Sequence, residues 1–146
     1  MSISYKVIIV LAMFICSSCS RQEPDIEKDT ANIEALLAQQ LVDWNNGDIE
    51  AFMQTYWDSE TLRFSSRGGT AYGWNNVLDM YKRSFPDRES MGQLHFDIDT
   101  IFTNRYPMVQ VNGAFHLYRS DTLEGPFSLF FEKIDSEWKI TEDHTW

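Results

Sequence analysis

The sequence predicts an α+β domain in which helices cover one face of a mainly antiparallel sheet. Two observations carry that expectation. Apolar residues recur at three- and four-residue spacing in the first half of the chain, then alternate strictly in the second. The links between the alternating runs are hairpin-sized, so consecutive strands should be antiparallel neighbours.

The helical part begins with Ile33, Leu36, Leu37, Gln40, Leu41 and Trp44, one face of an amphipathic helix. Asn45-Asn46-Gly47 supplies its stop, because Asn and Gly tolerate the left-handed conformation at a helix C-terminus. Asp48 is placed to cap a short second helix whose face carries Ile49, Phe52 and Tyr56. Leu62 and Phe64 then alternate with polar residues, and Arg67-Gly68-Gly69-Thr70 reads as a hairpin turn. Trp74, Val77, Leu78, Tyr81 and Phe85 return to helical spacing until Pro86 closes a third helix.

The remainder reads as strands. Leu94, Phe96 and Ile98 form one alternating row, and Val109, Val111, Phe115 and Leu117 carry the next. Phe127, Leu129 and Phe131 follow, and the last run is Trp138, Ile140, Glu142, His144 and Trp146. Thr103–Arg105 and Asp135–Glu137 are the expected hairpin links.

Residues 1–18 read as a secretory signal: Lys6, an apolar run from Val7 to Ile15, then small residues. That run falls well short of the roughly 20 apolar residues of a spanning helix. Cys16-Ser17-Ser18-Cys19 resembles a bacterial lipobox, which implies cleavage before Cys19 and lipid attachment to it. Residues 19–25 would then be the lipid-bearing cysteine and a polar tether, and residues 26–146 the domain. Cys16 would leave with the signal and Cys19 would carry the lipid, so the mature domain has no disulfide and rests on its core. The expected location is the bacterial cell envelope, attached to a membrane through the lipid alone.

Charge excludes another class. The chain has 12 basic and 22 acidic residues, net −10, and −11 once Lys6 leaves with the signal. Nucleic-acid binding rests on neutralising phosphates with Lys and Arg, so this balance opposes it.

Trp44-Asn45-Asn46-Gly47-Asp48, Ala51-Phe52, Tyr56-Trp57, Gly73-Trp74, Tyr81, Phe85-Pro86-Asp87, Met91-Gly92, Trp138-Lys139-Ile140 and Asp143-His144-Thr145 occur in that order. With them nearly the whole mature chain resembles the SnoaL-like branch of the nuclear transport factor 2-like superfamily. The resemblance implies a cone-shaped α+β roll (cystatin-like) with three helices and a curved sheet of about six strands. It also implies a pocket between the helices and the concave face, and a homodimer through the sheet. Relatives include isomerases, cyclases, dehydratases and binding or assembly domains, so fold does not settle function.

Strand parity puts His144 and Glu142 on the apolar face with Trp138 and Ile140, where an imidazole and a carboxylate can form an acid/base couple. A bulge between Trp138 and His144 would exchange the faces and make Asp143 the pocket carboxylate. Trp44, Tyr56, Trp57 and Tyr81 are expected as an aromatic wall opposite, with Tyr56 offering a hydroxyl to a ligand. Arg119 shares parity with Phe115 and Leu117 and is expected either at the pocket or in a rim salt bridge. His95, His116 and Asp97 share the polar face, as solvated or dimer-facing groups or as the start of a zinc site. No metal or other cofactor is expected.

Three functions remain open. The first is a binding protein for a small apolar or aromatic ligand, lined by Trp44, Tyr56, Trp57, Tyr81, Arg119 and Trp138. The second is a cofactor-free isomerase or dehydratase using His144, Glu142 and Tyr56. The third is a dimeric assembly module.

Overall fold

The computed structural model describes residues 25–146. The signal, Cys19 and the tether before Asp25 lie outside the described residues.

Helix α1 (Ile26–Asn46) starts where the Asp25 carboxylate accepts the Lys28 N–H at 3.1 Å, satisfying a donor the helix cannot. It buries Ile33, Leu37, Gln40 and Trp44 and stops at Gly47, whose φ of 85° is left-handed. A side chain there would also run into Arg88. Helix α2 (Ile49–Met53) is capped by Asp48, which accepts the Ala51 N–H at 2.8 Å.

Strands β1 (Arg63–Ser66) and β2 (Gly69–Tyr72) form the expected hairpin, closed by the Ser66–Gly69 pair around Arg67-Gly68. Helix α3 (Trp74–Ser84) buries Val77, Leu78 and Tyr81 and ends before Pro86. A fourth helix joins the three expected, the single turn α4 (Arg88–Met91), closed by a reciprocal capping box between Asp87 and Ser90.

Strands β3 (Gln93–Arg105), β4 (Met108–Tyr118), β5 (Thr122–Ile134) and β6 (Glu137–Thr145) complete a six-stranded sheet in the order β2-β1-β6-β5-β4-β3. Every pairing is antiparallel except β1 with β6. The expected link at Thr103–Arg105 shifts. Strand β3 continues to Arg105, and the chain turns at Tyr106-Pro107, where Pro107 has no N–H to give a ladder. The β5–β6 turn is Asp135-Ser136, both at positive φ, as a two-residue hairpin loop requires.

One irregularity decides what faces inward. Phe131 pairs with Ile140, but Phe130 pairs with Glu142, so Thr141 is an extra residue on β6. Its hydroxyl donates to the Phe130 carbonyl at 3.3 Å and to Glu132 at 3.0 Å. Past this bulge the sides of β6 exchange: Asp143 and Thr145 turn toward the helices, Glu142 and His144 away. The core gathers Ile33, Met53, Leu62, Val77, Val109, Val111, Phe131 and Ile140, all fully buried.

Candidate functional site

The corner after α1 is bolted to the far end of the sheet. The Asn45 amide works as a surrogate strand: its Oδ1 accepts the Leu94 N–H at 2.7 Å and its Nδ2 donates to the Leu94 carbonyl at 3.0 Å. Arg88 donates to the Trp44 and Asn45 carbonyls, both at 3.0 Å, adding to the Gly47 N–H that Trp44 already accepts at the helix end. The Trp44 indole donates to the Met91 carbonyl at 3.0 Å. These bonds hold the helices off the inner sheet face and leave a cavity of about 400 Å³ between them.

Helices supply Gln40, Trp44, Phe52, Met80 and Tyr81 to its wall, and the sheet supplies Phe64, Phe96, Phe115, Phe127 and Leu129. The rings brace each other edge to face, Trp44 on Phe52 at 5.1 Å, Trp44 on Phe85 at 4.9 Å and Phe64 on Tyr81 at 5.6 Å. Into this apolar wall projects Asp143, 3% exposed, flanked by Phe64 on β1 and Leu129 on β5.

Its environment is one-sided. The Tyr56 hydroxyl donates to Asp143 Oδ2 at 2.6 Å, and the Tyr81 hydroxyl stands 3.4 Å from that of Tyr56. Oδ1 has no hydrogen-bond partner among the described residues. Burial pushes the Asp143 carboxyl up to about 7, against the Tyr56 bond, which draws it down. Burial, then the neighbouring Asp143 charge, holds Tyr56 and Tyr81 well above the usual phenol range, so both stay protonated. The cavity therefore offers a phenol donor and a carboxyl poised to exchange a proton near neutral pH.

Of the residues expected at the site, Trp44, Tyr56, Tyr81 and Arg119 line the cavity. Arg119 lies one residue past the end of β4. Its guanidinium contacts Asp121 at 3.0 Å and donates to the Ser90 carbonyl at 3.3 Å.

His144 and Glu142 do not line it, because the Thr141 bulge turns them to the opposite face. There Arg63 donates to Glu142 at 2.5 Å and stands 2.9 Å from His144 Nε2. Burial would raise the Glu142 carboxyl, but Arg63 and His144 together hold it below the usual range. Trp138 is also elsewhere. Its indole donates to Asp29 at 3.1 Å in a buried cluster with Lys133 and Tyr106. Trp57 lies behind the wall, with Trp74 and Lys139 in a second, smaller depression. Residue 57 is pinned there because its N–H donates to the Ile140 carbonyl at 2.9 Å.

His95 and His116 are cross-strand partners, joined by Asp97 at 3.1 and 3.0 Å. Glu124 bonds His116 Nδ1 at 2.9 Å; this bond first, and Asp97 after it, raise the His116 pKa. Among the described residues no group of three or more His, Cys, Asp or Glu side chains is arranged to hold a metal ion.

No family model and no curated protein matches the chain. Solved structures do. An NTF-2 like protein of unknown function from Shewanella oneidensis MR-1 shares 42% identity over 80% of this chain and 98% of its own, with a TM-score of 0.76. The chain belongs to the NTF2-like superfamily. Two more distant likenesses show the fold alone, each at 18% identity. One is a domain of unknown function with a cystatin-like fold from Nostoc punctiforme, covering 81% of this chain and 76% of its own at a TM-score of 0.67. The other is a ketosteroid isomerase-like protein from Erwinia carotovora atroseptica, covering 81% and 95% at 0.62. In this chain that fold closes helices over one face of a curved six-stranded sheet.

The sequence reaches Asp143 only through a bulge between Trp138 and His144. The inward row of β6 would otherwise place two ionisable groups, Glu142 and His144, opposite the apolar Leu129 and Phe127. That mismatch is the sequence signal for a change of face.

Proposed function

We propose that this domain binds a small, largely apolar molecule in the cavity between helices and sheet, with its polar end against Tyr56 and Asp143. One observation carries the reading: an aromatic-walled space of about 400 Å³ ends on a buried carboxyl with one oxygen unpartnered. Small-molecule pockets run from ~300 to ~1,000 Å³ and combine apolar walls with a few placed polar groups. An open cavity also weighs against a pure assembly role, which would leave that space filled.

The test is uptake of the neutral fluorescent probe N-phenyl-1-naphthylamine. Emission should rise on binding and fall at least about tenfold in Leu129→Trp, a substitution that fills the cavity. Equal uptake by a folded Leu129→Trp protein would remove the cavity from the account.

A second reading, a cofactor-free acid/base enzyme of isomerase or dehydratase type, is favoured by the carboxyl pushed up to about 7. In it Asp143 takes the place first given to His144, and Tyr56 donates to a developing oxyanion. Turnover of a bound compound that is lost in Asp143→Asn would support it; binding without turnover would leave the first reading.

The proposal includes an exported, lipid-anchored protein, on the strength of Lys6, the apolar run and Cys19. Mass spectrometry of the mature N-terminus should find a diacylated Cys19; an unmodified cysteine would overturn it. It includes a homodimer through the outer sheet face, where Phe102 and Tyr118 are exposed. Light scattering should give twice the chain mass, and Tyr118→Glu should halve it.

A further inference from the structure

We infer that the cavity is built for a cationic head: its ligand class is an apolar or aromatic molecule bearing a protonated amine, held by Asp143 within the surrounding rings. This rests on the cavity being a binding site, as proposed above. Four features of the molecule point to a cation.

Asp143 has no basic partner among the described residues. The groups facing it from the packed elements are the Tyr56 and Tyr81 hydroxyls, Phe64 on β1 and Leu129 on β5, and Oδ1 is left without a donor. A buried carboxylate with a free oxygen gains most from a donor that also carries positive charge.

The cavity's own cation is distant and engaged. Asp143 is level with Leu129 and Val111, while Arg119 lies eight residues further along the β4 direction, paired with Asp121. At ~3.3 Å per residue it cannot serve Asp143.

The lining is π-rich. Phe64 pairs beside Asp143, Tyr56 and Tyr81 stand at its carboxyl, and Trp44 and Phe52 line the same cavity; ring faces attract ammonium groups. A neutral pocket for hydrocarbon alone has no need of the buried acid among them.

The whole chain is net −10, which draws cations to its mouth and repels anions. Oδ1 is shielded in the empty cavity, so the head meets it through rotation of the carboxyl about χ2, a soft torsion for Asp.

The experiment uses three indoles that differ in the head alone: tryptamine, tryptophol and indole-3-propionate, titrated calorimetrically into the domain. Tryptamine should bind at least about tenfold tighter than tryptophol, with indole-3-propionate weakest. Its affinity should climb as pH rises through the Asp143 transition, because the bound form requires the carboxylate, and binding near pH 6–7 should release protons to the buffer. Asp143→Asn should cut tryptamine affinity at least about tenfold and leave tryptophol within about twofold, with circular dichroism confirming the fold.

If N-phenyl-1-naphthylamine enters but tryptophol or the acid matches tryptamine, or none of the three indoles binds, the amine assignment is overturned and the cavity reading stands. If the dye is excluded and no indole binds, both fall. Unchanged tryptamine affinity in Asp143→Asn also overturns the assignment.

Discussion

The domain leaves two aspartates, Asp29 and Asp143, almost equally little exposed, 5% and 3%, and treats them in opposite ways. Asp29, in the first turn of α1, is fully answered. Lys133 donates to it at 2.7 and 3.0 Å, Trp138 at 3.1 Å and Tyr106 at 2.9 Å. Burial alone would raise its pKa, but those bonds outweigh burial and hold the carboxyl below its ordinary value. Asp143 receives one phenol and is pushed up to about 7. The contrast separates a carboxylate that fastens α1 to the sheet from one left free for something else. Of the two buried acids among the described residues, Asp29 is satisfied and Asp143, which faces the cavity, keeps one oxygen unpartnered.

Breaking the satisfied cluster should have the largest effect. Asp29→Ala strands the Lys133 ammonium, the Trp138 indole and the Tyr106 hydroxyl around a hole. A fully buried pair broken this way costs ~3–5 kcal/mol. Because Lys133 is about one-third exposed, about 3 kcal/mol is expected, read from urea unfolding at constant m.

The two aspartates should next give opposite pH slopes. Asp143, with its folded pKa raised, loses stability for the protein as pH rises from its unfolded value of ~3.9 to its folded value. Asp29, with its folded pKa lowered, contributes stability that is present above ~3.9 and lost as pH falls through its folded pKa. Asp143→Asn should therefore gain on the wild type between about pH 4 and pH 7, by a few kcal/mol at most, and level off above. A constant difference across that window would contradict the assignment.

Tyr56→Phe sharpens the contrast on a smaller scale. It removes the donor that draws Asp143 down, so the Asp143 pKa should climb further, at a stability cost of about 1–2 kcal/mol. The pH midpoint of the stability difference reports the shift. On the outer face, His144→Ala should change stability by less than about 1 kcal/mol, because its Arg63 and Glu142 partners are partly exposed. It should leave uptake into the cavity unaltered, and loss of uptake would return His144 to the site.

Much of this was legible in the chain, unevenly. Asn45-Asn46-Gly47 and Asp48 marked the α1–α2 corner because capping chemistry is local, and Pro86 marked the end of α3 for the same reason. The aromatic wall was legible through Trp44 and Tyr81 because helical spacing assigns a face; Tyr56, expected on the face of α2, instead lies past that helix's end at Met53, where its bridge to Ile140 on β6 aims it at Asp143. The β6 face was not fixed, since one extra residue at Thr141 reverses parity and its cause lies in the partner strand β5. Trp138 looked like a pocket residue because nothing local shows that Asp29, 109 positions earlier, takes its indole N–H. Arg88, whose contacts reach 44 and 43 positions back to α1, was invisible for the same reason.

The most direct measurement is a carboxyl-detected NMR titration of the domain labelled with ¹³C-aspartate, with Asp29→Asn and Asp143→Asn supplying the assignments. The account predicts that Asp143 titrates near pH 7 and Asp29 below the ordinary ~3.9 of an unperturbed aspartate. An Asp143 midpoint at or below that ordinary value would mean that its carboxylate is already satisfied, and the cavity would lose its functional group.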